Sequence, residues 1–580
     1  MKVIEDGEKI DLSQNDWPLK YNKLEEDMGN EVKPHELHCI EFLFKDEEIP
    51  PWQSQLTLRA VVASCAMGAF LTIFVVKMDL MFGMIPPVNL FAGFFGFLFI
   101  STWTKLLSAA GFQGQPFTRQ ENAVIQICVN AIISIAYSGG FASYLFAMSD
   151  IVAKQMPGPV DPSDIKNPSF GWMTLLLLLS SSAGVFTPLP LRNTKSGDWY
   201  PAKVAPRTLS GLQAYKVFIG LSIIIGDGVY NLIKIIVVGL LKHKNNSALP
   251  VAANSFTGNT PASYDEEVRS KAFLKDQIPK RVAIGGYVVI ATISVAVLPF
   301  IFPSLKWYHV LTLYLISPLL GFCRVYVTAL TDMSVSSVLG RMAILIFGSW
   351  TGMSSGSVLA GLAACGALMH LVDAASNMME TFKLGYMTLS SPKSLFLSQL
   401  IGTLVGCLVS PYIFLYFKNH YPNGFGTPDS MFPASWASSQ RAAAMRATNG
   451  FSTLPKHCLS LSLAFFFVAI LVSLLRDSMP KKWKHLIPIP MAFAVPFNVG
   501  AYLSIDMCVG YLVFYLWRRK NKAQAEALAP FVGSALMFGD GLWWFPSTIL
   551  RMRNIIAPMC MRFLSKEMSA QVENCLNGGS

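Results

Sequence analysis

Long apolar runs alternate with short polar links along most of the chain. The runs lie at about residues 58–76, 82–103, 121–148, 171–189, 214–241, 282–302, 308–331, 338–350, 355–378, 395–417, 458–475, 485–517 and 528–548. Because backbone groups in lipid must satisfy their own hydrogen bonds, such runs fold as helices. A run of about 18 or more apolar residues can cross a bilayer, so the pattern predicts an all-α polytopic transmembrane helix bundle of about 11–14 spans.

Two segments do not fit the rule that each apolar run forms one membrane span. The run at 485–517 is too long for one crossing and contains three prolines. Proline removes a helical hydrogen bond, so this run predicts a broken helix or a tight pair of helices. The link at 419–457 contains an alanine-rich amphipathic stretch, Ser439–Ala447, which predicts a short surface or re-entrant helix in preference to a gate.

The polar segments divide the chain into five regions. These are an acidic cytosolic tail at 1–52, a first transmembrane half at 53–241, a polar basic loop at 242–281, a second transmembrane half at 282–550 and a C-terminal tail at 551–580. The net charge of +11 results from −8 in the tail and +19 elsewhere. Lysine and arginine in the links anchor topology at the membrane surface, so the charge indicates a lipid bilayer and not nucleic acid. Basic links on both sides of the run at 214–241 leave the orientation of the first half open.

Composition and motifs argue against several protein classes. Charged residues make up 14% of the chain, against about 25% in a typical soluble protein, and the mean hydropathy is +0.44. The chain contains no P-loop, so an ATP-driven pump is not predicted. The ten cysteines are scattered without a CxxC pair, which predicts neither a disulfide framework nor a zinc site. We expect no resident cofactor and no enzymatic activity.

Two short strings repeat across the halves. Residues 222–231 read SIIIGDGVYN and residues 535–544 read ALMFGDGLWW. Glycines on both sides of a carboxylate weaken a helix and let another backbone or a ligand approach. Weak internal repeats with interrupted helices are typical of transporters built from duplicated halves, so the strings predict two related halves.

Ionisable groups at membrane depth are costly and are functional candidates by default. The candidates for a substrate or proton pathway are Asp227, Asp540, His370, Asp373, Asn377, Asp332 and Asp506. His370, Asp373 and Asn377 follow one helix face, which fits either a proton or cation route or interhelical hydrogen bonding. Asp227 and Asp540 fit a pathway or a structural hydrogen-bonding role. Asp332 lies near a predicted span end and also fits a helix cap at the membrane interface. Asp506 also fits a local pairing with a nearby group.

Ten stretches of the sequence carry a resemblance to a known family. They are PPWQSQLTLRAVVAS (50–64), FTRQENAVIQICVNAIISIAYSGGFASYLF (117–146), KNPSFGWM (166–173), SGDWYPA (196–202), GLQAYKVFIGLSIIIGDGVYNLIK (211–234), LGFCRVYVTALTDMS (320–334), SPKSLFLSQLIGTLVGC (391–407), LPKHC (454–458), IPIPMAFAVPFNVGAYLSIDMCVG (487–510) and FGDGLWWFPS (538–547). Together they are spread along most of the chain after residue 40, and the sequence resembles the yellow stripe-like subfamily of the plant oligopeptide transporter family.

The resemblance implies proton-coupled symport of metal complexed with nicotianamine or related phytosiderophores. Iron is the expected cargo, and copper, zinc and manganese chelates also fit. The expected partners are the chelate, protons and the lipid bilayer, and the plasma membrane is favoured over vacuolar or other internal membranes. The oligomeric state stays open. A broader oligopeptide symporter, and a transport-defective paralogue that acts only as a membrane binding partner, are the alternatives.

One departure from the family pattern is large. Family members carry a block with further spans between the Pro-Leu-Arg end of the fourth span and the Gly-Asp-Trp-Tyr-Pro string. Here Arg192 is followed within a few residues by Gly197. Because the first half also looks short by at least one apolar block, we expect that roughly a hundred or more residues are missing at this junction, enough for several spans. Arg324 in GFCRVY and Trp350 are smaller departures.

Overall fold

The apolar runs fold into helices that pack side by side in the computed structural model. The structure describes residues 2–5, 8–11, 49–82, 88–109, 117–155, 161–186, 212–244, 261–331, 334–352, 356–421, 425–426, 432–448, 458–480, 489–491, 494 and 501–552. The junction between Arg192 and Gly197 lies outside these residues, and so does Asp332.

The helices of the described residues range from single four-residue turns to helices long enough to cross a membrane. They are α1 Trp52–Gln55, α2 Leu58–Phe82, α3 Val88–Ala109, α4 Arg119–Ser138, α5 Tyr144–Ala147, α6 Asp150–Ala153, α7 Phe170–Phe186, α8 Leu212–Lys244, α9 Pro261–Lys275, α10 Lys280–Ile301, α11 Trp307–Thr331, α12 Ser336–Thr351, α13 Ser357–Thr388, α14 Pro392–His420, α15 Ser435–Ala447, α16 Cys458–Ser478, α17 Ala501–Lys520 and α18 Lys522–Met552. A 3₁₀ turn at Pro162–Asp164 lies between α6 and α7.

Eight helices of the described residues are long and apolar enough to cross a membrane. They come from α2, α4, α8, α10, α11, α13, α14 and α16. Helices α3, α17 and α18 are also 22, 20 and 31 residues long. This confirms the predicted all-α polytopic membrane bundle, and the span count of 11–14 stays a prediction.

Helix α13 occupies the centre of the bundle. It packs against α4, α7, α11, α12 and α14, and 89% of its most apolar window is buried. Small residues let its neighbours approach closely, as is usual between membrane helices. A Cβ atom on Gly402 of α14 would lie 2.5 Å from the carbonyl oxygen of Cys128 on α4.

Two predicted segments differ from the observed elements. The run at 121–148 is not one helix, because α4 ends at Ser138 and the chain continues through Gly140 at φ +72° into α5 and α6. Glycine tolerates that left-handed conformation, so the Gly139-Gly140 pair breaks the helix there. Helix α15 is not on the surface, because it packs against α5, α6, α12 and α13 and Arg441 is only 3% exposed, whereas its re-entrant topology stays a prediction.

The prolines predict an interruption of the long run at 485–517, and because residues 495–500 before α17 lie outside the described residues, the interruption stays a prediction. Ile489 lies outside any helix, and α17 begins only at Ala501. Helices α17 and α18 then pack against each other. The sequence did not predict α9 inside the polar basic loop, nor an antiparallel hairpin that pairs Lys2–Glu5 with Glu8–Asp11.

Candidate functional site

A narrow accessible face runs along the otherwise buried helix α13. Met369, Asp373 and Asn377 are partly accessible and Glu380 is exposed, whereas most of the residues between them are buried. Spacings of four, four and three residues place these side chains on one side of a helix. The face therefore borders an accessible space along α13.

Helix α4 supplies the opposite wall of this space. Tyr137 is 48% exposed although the adjacent Ala136 and Ser138 are buried. It lies close enough to Asp79, Asp373 and Arg324 to be influenced by their charges. Hydrogen bonding links the two walls directly, because the Asn377 side-chain amide donates to the hydroxyl of Ser134 on α4.

Three helices converge on the carboxylate of Asp373. The hydroxyl of Ser336 on α12 donates to Asp373 Oδ1 and accepts from Arg324 Nε of α11 at 2.8 Å. Arg324 Nη2 lies 3.5 Å from the same carboxylate oxygen. The side chains of Arg324 and Asp373 are 8% and 14% exposed, so this ion pair lies at the edge of the accessible space. A charged group at this depth needs such a partner to be stable.

His370 lies at the edge of the accessible face of α13 but is buried. It is 1% exposed, and its Nε2 atom is 2.5 Å from the phenol oxygen of Tyr144. Tyr144 also donates to the backbone carbonyl of Ser138 at 2.7 Å. The tautomer of the His370 imidazole sets which partner donates in the Tyr144–His370 hydrogen bond. The structure thus brings Asp373 and Asn377 together on the accessible face and turns His370 towards the α4–α5 break.

Asp227 is enclosed by hydrogen-bond donors from three segments. Its Oδ1 atom accepts from Ser473 Oγ on α16 at 2.6 Å and from Asn231 Nδ2 at 2.8 Å. Its Oδ2 atom accepts the backbone N–H of Met491, in the proline-broken segment, at 3.2 Å. Asp227 is 1% exposed, so this geometry favours the structural role over direct contact with a solute.

The glycines around Asp227 allow close helix packing. A Cβ atom on Gly226 would lie 2.5 Å from the carbonyl oxygen of Phe466 on α16, and one on Gly228 would meet Cys323 of α11. The repeated Gly-Asp-Gly string therefore has a packing reason in the first half. In the second half, Asp540 lies on α18 and Asp506 on α17, and both side chains fall outside the described part of the structure.

Sequence reasoning missed several residues that contribute to the central space. Asp79 lies near a predicted span end, where a carboxylate is unremarkable, and Tyr137 gives no polar signal inside an apolar run. Arg324 stands out only as a departure from the family pattern, and Ser336 is one of many serines. Their shared location depends on contacts between distant segments, which a single sequence does not show.

No metal centre or hydrolase site emerges from the described residues. Within the ranges that the structure describes, no three His, Cys, Asp or Glu side chains converge on one point. Residues 352–356 fit the spacing Gly-x-Ser-x-Gly, but they lie between helices α12 and α13. A nucleophile elbow requires a strand–turn–helix, so this match carries no catalytic meaning.

A separate cavity of about 450 Å³ contains none of the candidate residues. It is lined by Phe170, Tyr412, Leu415, Tyr416, Asn419 and His420. Tyr412 and Tyr416 are 66% and 56% exposed, as is typical of tyrosines at a membrane interface. We therefore assign the candidate functional site to the space between α4 and α13.

Comparison with known proteins identifies the family. The model of the family described as OPT oligopeptide transporter protein matches residues 55–195 and 189–551. The chain is 37% identical to "Probable metal-nicotianamine transporter YSL14" of Oryza sativa subsp. japonica, over 93% of this chain and 91% of that protein. It is 38% identical to the similarly named YSL12 of the same species, over 93% of this chain and 92% of that protein. It is 36% identical to the similarly named YSL8 of Arabidopsis thaliana, again over 93% of this chain and 92% of that protein.

These matches and the apolar helices give one result. The family consists of membrane transporters and not of enzymes, and the relatives match this chain over nearly its whole length. The chain is an integral multi-pass membrane protein that belongs to the oligopeptide transporter family, within its yellow stripe-like group.

Proposed function

We propose that this chain carries metal–nicotianamine chelates across a membrane in symport with protons, with iron as the main cargo. The observation that carries the proposal is 36–38% identity to several metal-nicotianamine transporters over more than nine-tenths of this chain. The plasma membrane is the proposed location. The neutral-to-anionic chelate would enter the accessible space between α4 and α13.

The chemistry of a chelate fits the side chains around that space. A metal that is already wrapped by amines and carboxylates needs no cluster of His and Cys ligands. It needs acceptors for its amines and donors for its carboxylates. Asn377 supplies an acceptor, and Asn377, Tyr137 and Arg324 supply donors.

Asp373 is also the proposed proton carrier. In the observed state its carboxylate receives the Ser336 hydroxyl and faces the Arg324 guanidinium. Protonation removes the attraction to Arg324 and turns an acceptor oxygen into a donor, which would loosen the contact between α11 and α13. Asp540 and Asp506 are kept as further proposed pathway groups, and Asp227 and His370 as groups that hold the neighbouring helices in place.

Growth of a yeast strain that lacks iron import tests the proposal. Cells that express this chain should grow on limiting iron only when nicotianamine is supplied, and uptake should increase as the outside pH falls. Growth on iron without the chelator would contradict chelate transport. A fluorescent fusion at the cell surface of a plant cell would support the proposed location.

A transport-defective protein is the second candidate, because relatives carry residues that this chain lacks. The alignment to YSL14 extends over 665 positions, whereas 93% of this chain is about 540 residues. The two family-model matches meet at 189–195, which supports the predicted missing block at Arg192–Gly197. Absence of rescue despite surface expression would favour this candidate, and rescue by peptides in place of chelate would favour a broader oligopeptide symporter.

A further inference from the structure

One donor group in the central ion pair is unused. Arg324 is 6% exposed; its Nε atom is bonded to Ser336 and its Nη2 atom faces Asp373. The remaining amino group, Nη1, is buried and has no hydrogen-bond partner. Buried donors without a partner are rare in native structures, and each one needs a physical reason.

The shape of a guanidinium indicates what would fill the gap. Arginine presents its donors in a rigid planar fork that matches the two oxygens of a carboxylate. Asp373 uses only one edge of that fork, through a single oxygen at 3.5 Å. The free edge therefore suits a second carboxylate better than a neutral group or a cation.

The position of the pair gives a solute access to it. Asp373 lies on the accessible face of α13, one turn from Asn377, and Tyr137 is half-exposed on the opposite wall. A molecule in this space would lie against the Arg324–Asp373 pair.

We propose that Arg324 binds a carboxylate of the chelate and thereby selects cargo with carboxylate groups. This rests on the proposed function, since it names the residue that recognises the chelator. In the empty site Asp373 balances the charge of Arg324. When the chelate is bound, its carboxylate takes the donors of Nη1, and Asp373 competes with it for the same guanidinium.

A purely structural role of the ion pair and an anchoring role of Arg324 predict different effects of substitutions on ligand binding. If the pair only ties α11 to α13, Arg324→Gln and Asp373→Asn break the same contact and weaken ligand binding in the same way. If Arg324 is the anchor, Arg324→Gln removes the binding group, whereas Asp373→Asn removes its competitor. The signs of the two effects on affinity therefore separate the roles.

The test measures the melting temperature of full-length protein in lipid nanodiscs against the concentration of added nicotianamine. A ligand that binds the folded state raises this temperature by an amount that grows with the logarithm of the ligand concentration divided by its Kd. Wild type should be stabilised by nicotianamine and not by its fully methyl-esterified form. Arg324→Gln should bind at least tenfold more weakly, Arg324→Lys should be intermediate, and Asp373→Asn should bind as tightly as wild type or more tightly.

Two further variants serve as controls. The double variant Arg324→Gln/Asp373→Asn removes both charges, so it should regain stability lost in Arg324→Gln but still bind weakly. Arg59→Gln breaks another ion pair, Arg59–Glu121, and should lower the melting temperature without changing the affinity for nicotianamine.

Several outcomes would overturn the anchor role. These are equal affinity in Arg324→Gln and wild type, recovery of affinity in the double variant, or no stabilisation of wild type by nicotianamine. Failure of the proposed function shows separately, as absence of chelate-dependent growth in yeast for a wild-type protein that still binds nicotianamine in nanodiscs.

Discussion

Tyr144 on the short helix α5 contacts His370 near the middle of α13, with 2.5 Å between the phenol oxygen and Nε2. The two residues are 226 positions apart in the sequence. Their contact ties the break after α4 to the central helix, and both side chains are buried. Gly366 of α13 makes room for the Tyr144 ring, since a Cβ atom there would overlap it at 2.6 Å.

Tyr144→Phe should destabilise the protein by about 1–3 kcal/mol, because it leaves the Ser138 carbonyl and His370 Nε2 without their partner in a buried place. The free energy of unfolding in detergent with increasing denaturant measures this. Tyr412→Phe is the control, since Tyr412 is 66% exposed and should change little. Equal losses in the two variants would refute the proposed importance of the Tyr144 contact.

Asp227→Ala should lower the yield of folded protein more than the rate of uptake per folded molecule. The substitution leaves two donors, Ser473 Oγ on α16 and the Met491 backbone N–H, without an acceptor, at a cost of about 1–3 kcal/mol for each buried unsatisfied group, whereas Asn231 keeps the backbone carbonyl of residue 227. Surface expression and uptake, measured together in yeast, give the rate of uptake per folded molecule. Normal expression with abolished uptake would instead place Asp227 in the pathway.

Gly226→Ala should destabilise the α8–α16 contact. The added methyl group meets a backbone carbonyl that cannot rotate away, and overpacking typically costs about 1–3 kcal/mol. Gly285→Ala on α10 is the matched control, because nothing lies within 4 Å of the position that its methyl group would take, and alanine favours the helix by up to about 1 kcal/mol. Melting temperatures of the two variants should move in opposite directions.

Asp164 and Asp150, both outside the membrane spans, should give opposite pH dependences. Burial raises the pKa of Asp164 above its ordinary value of 3.8, although the Val358 and Leu359 N–H groups oppose the shift. The stability from its protonated form is therefore full below pH 3.8 and is lost as pH rises through the raised pKa. The hydrogen bond from Lys154 lowers the pKa of Asp150, so its contribution is present above pH 3.8 and is lost as pH falls through the lowered pKa.

Melting curves from below pH 3.8 up to neutral pH check these signs. Asp164→Asn should remove the part of the stability that wild type loses on raising the pH. Wild type should lose stability at acidic pH through Asp150, and Asp150→Asn should abolish only that loss. The loss should be small because Lys154 is 72% exposed. The same slope in both variants would contradict the assignment.

Asp540→Ala should abolish chelate uptake if the second Gly-Asp-Gly string lines the pathway. A carboxylate at membrane depth is retained at a cost of several kcal/mol, which favours a functional role. Uptake in yeast is measured against surface expression, with Asp540→Glu as the conservative variant. Unchanged uptake at normal expression removes Asp540 from the pathway.

Much of the candidate site could be predicted from the sequence, but its grouping could not. Asp373 and Asn377 are predicted to share a helix face, and the structure places both on the accessible side of α13. His370, three residues before Asp373, is predicted on the same stripe but faces Tyr144. The difference of about 60° around a helix is too small to resolve from spacing alone, and the neighbours decide which residue faces the space.

The sequence by itself determined that this protein is a membrane-embedded helix bundle. Lipid offers no hydrogen-bond partners, so every long apolar run must satisfy its backbone internally, and this constraint acts locally.

Only the tertiary structure decided which polar groups meet. Arg324, Ser336 and Asp373 lie on three helices, and Asp227 finds Ser473 at a distance of 246 residues along the chain. Such contacts depend on how helix faces pack against one another, and this packing in lipid is selected by shape and hydrogen bonding and not by the hydrophobic pattern that defines the helices.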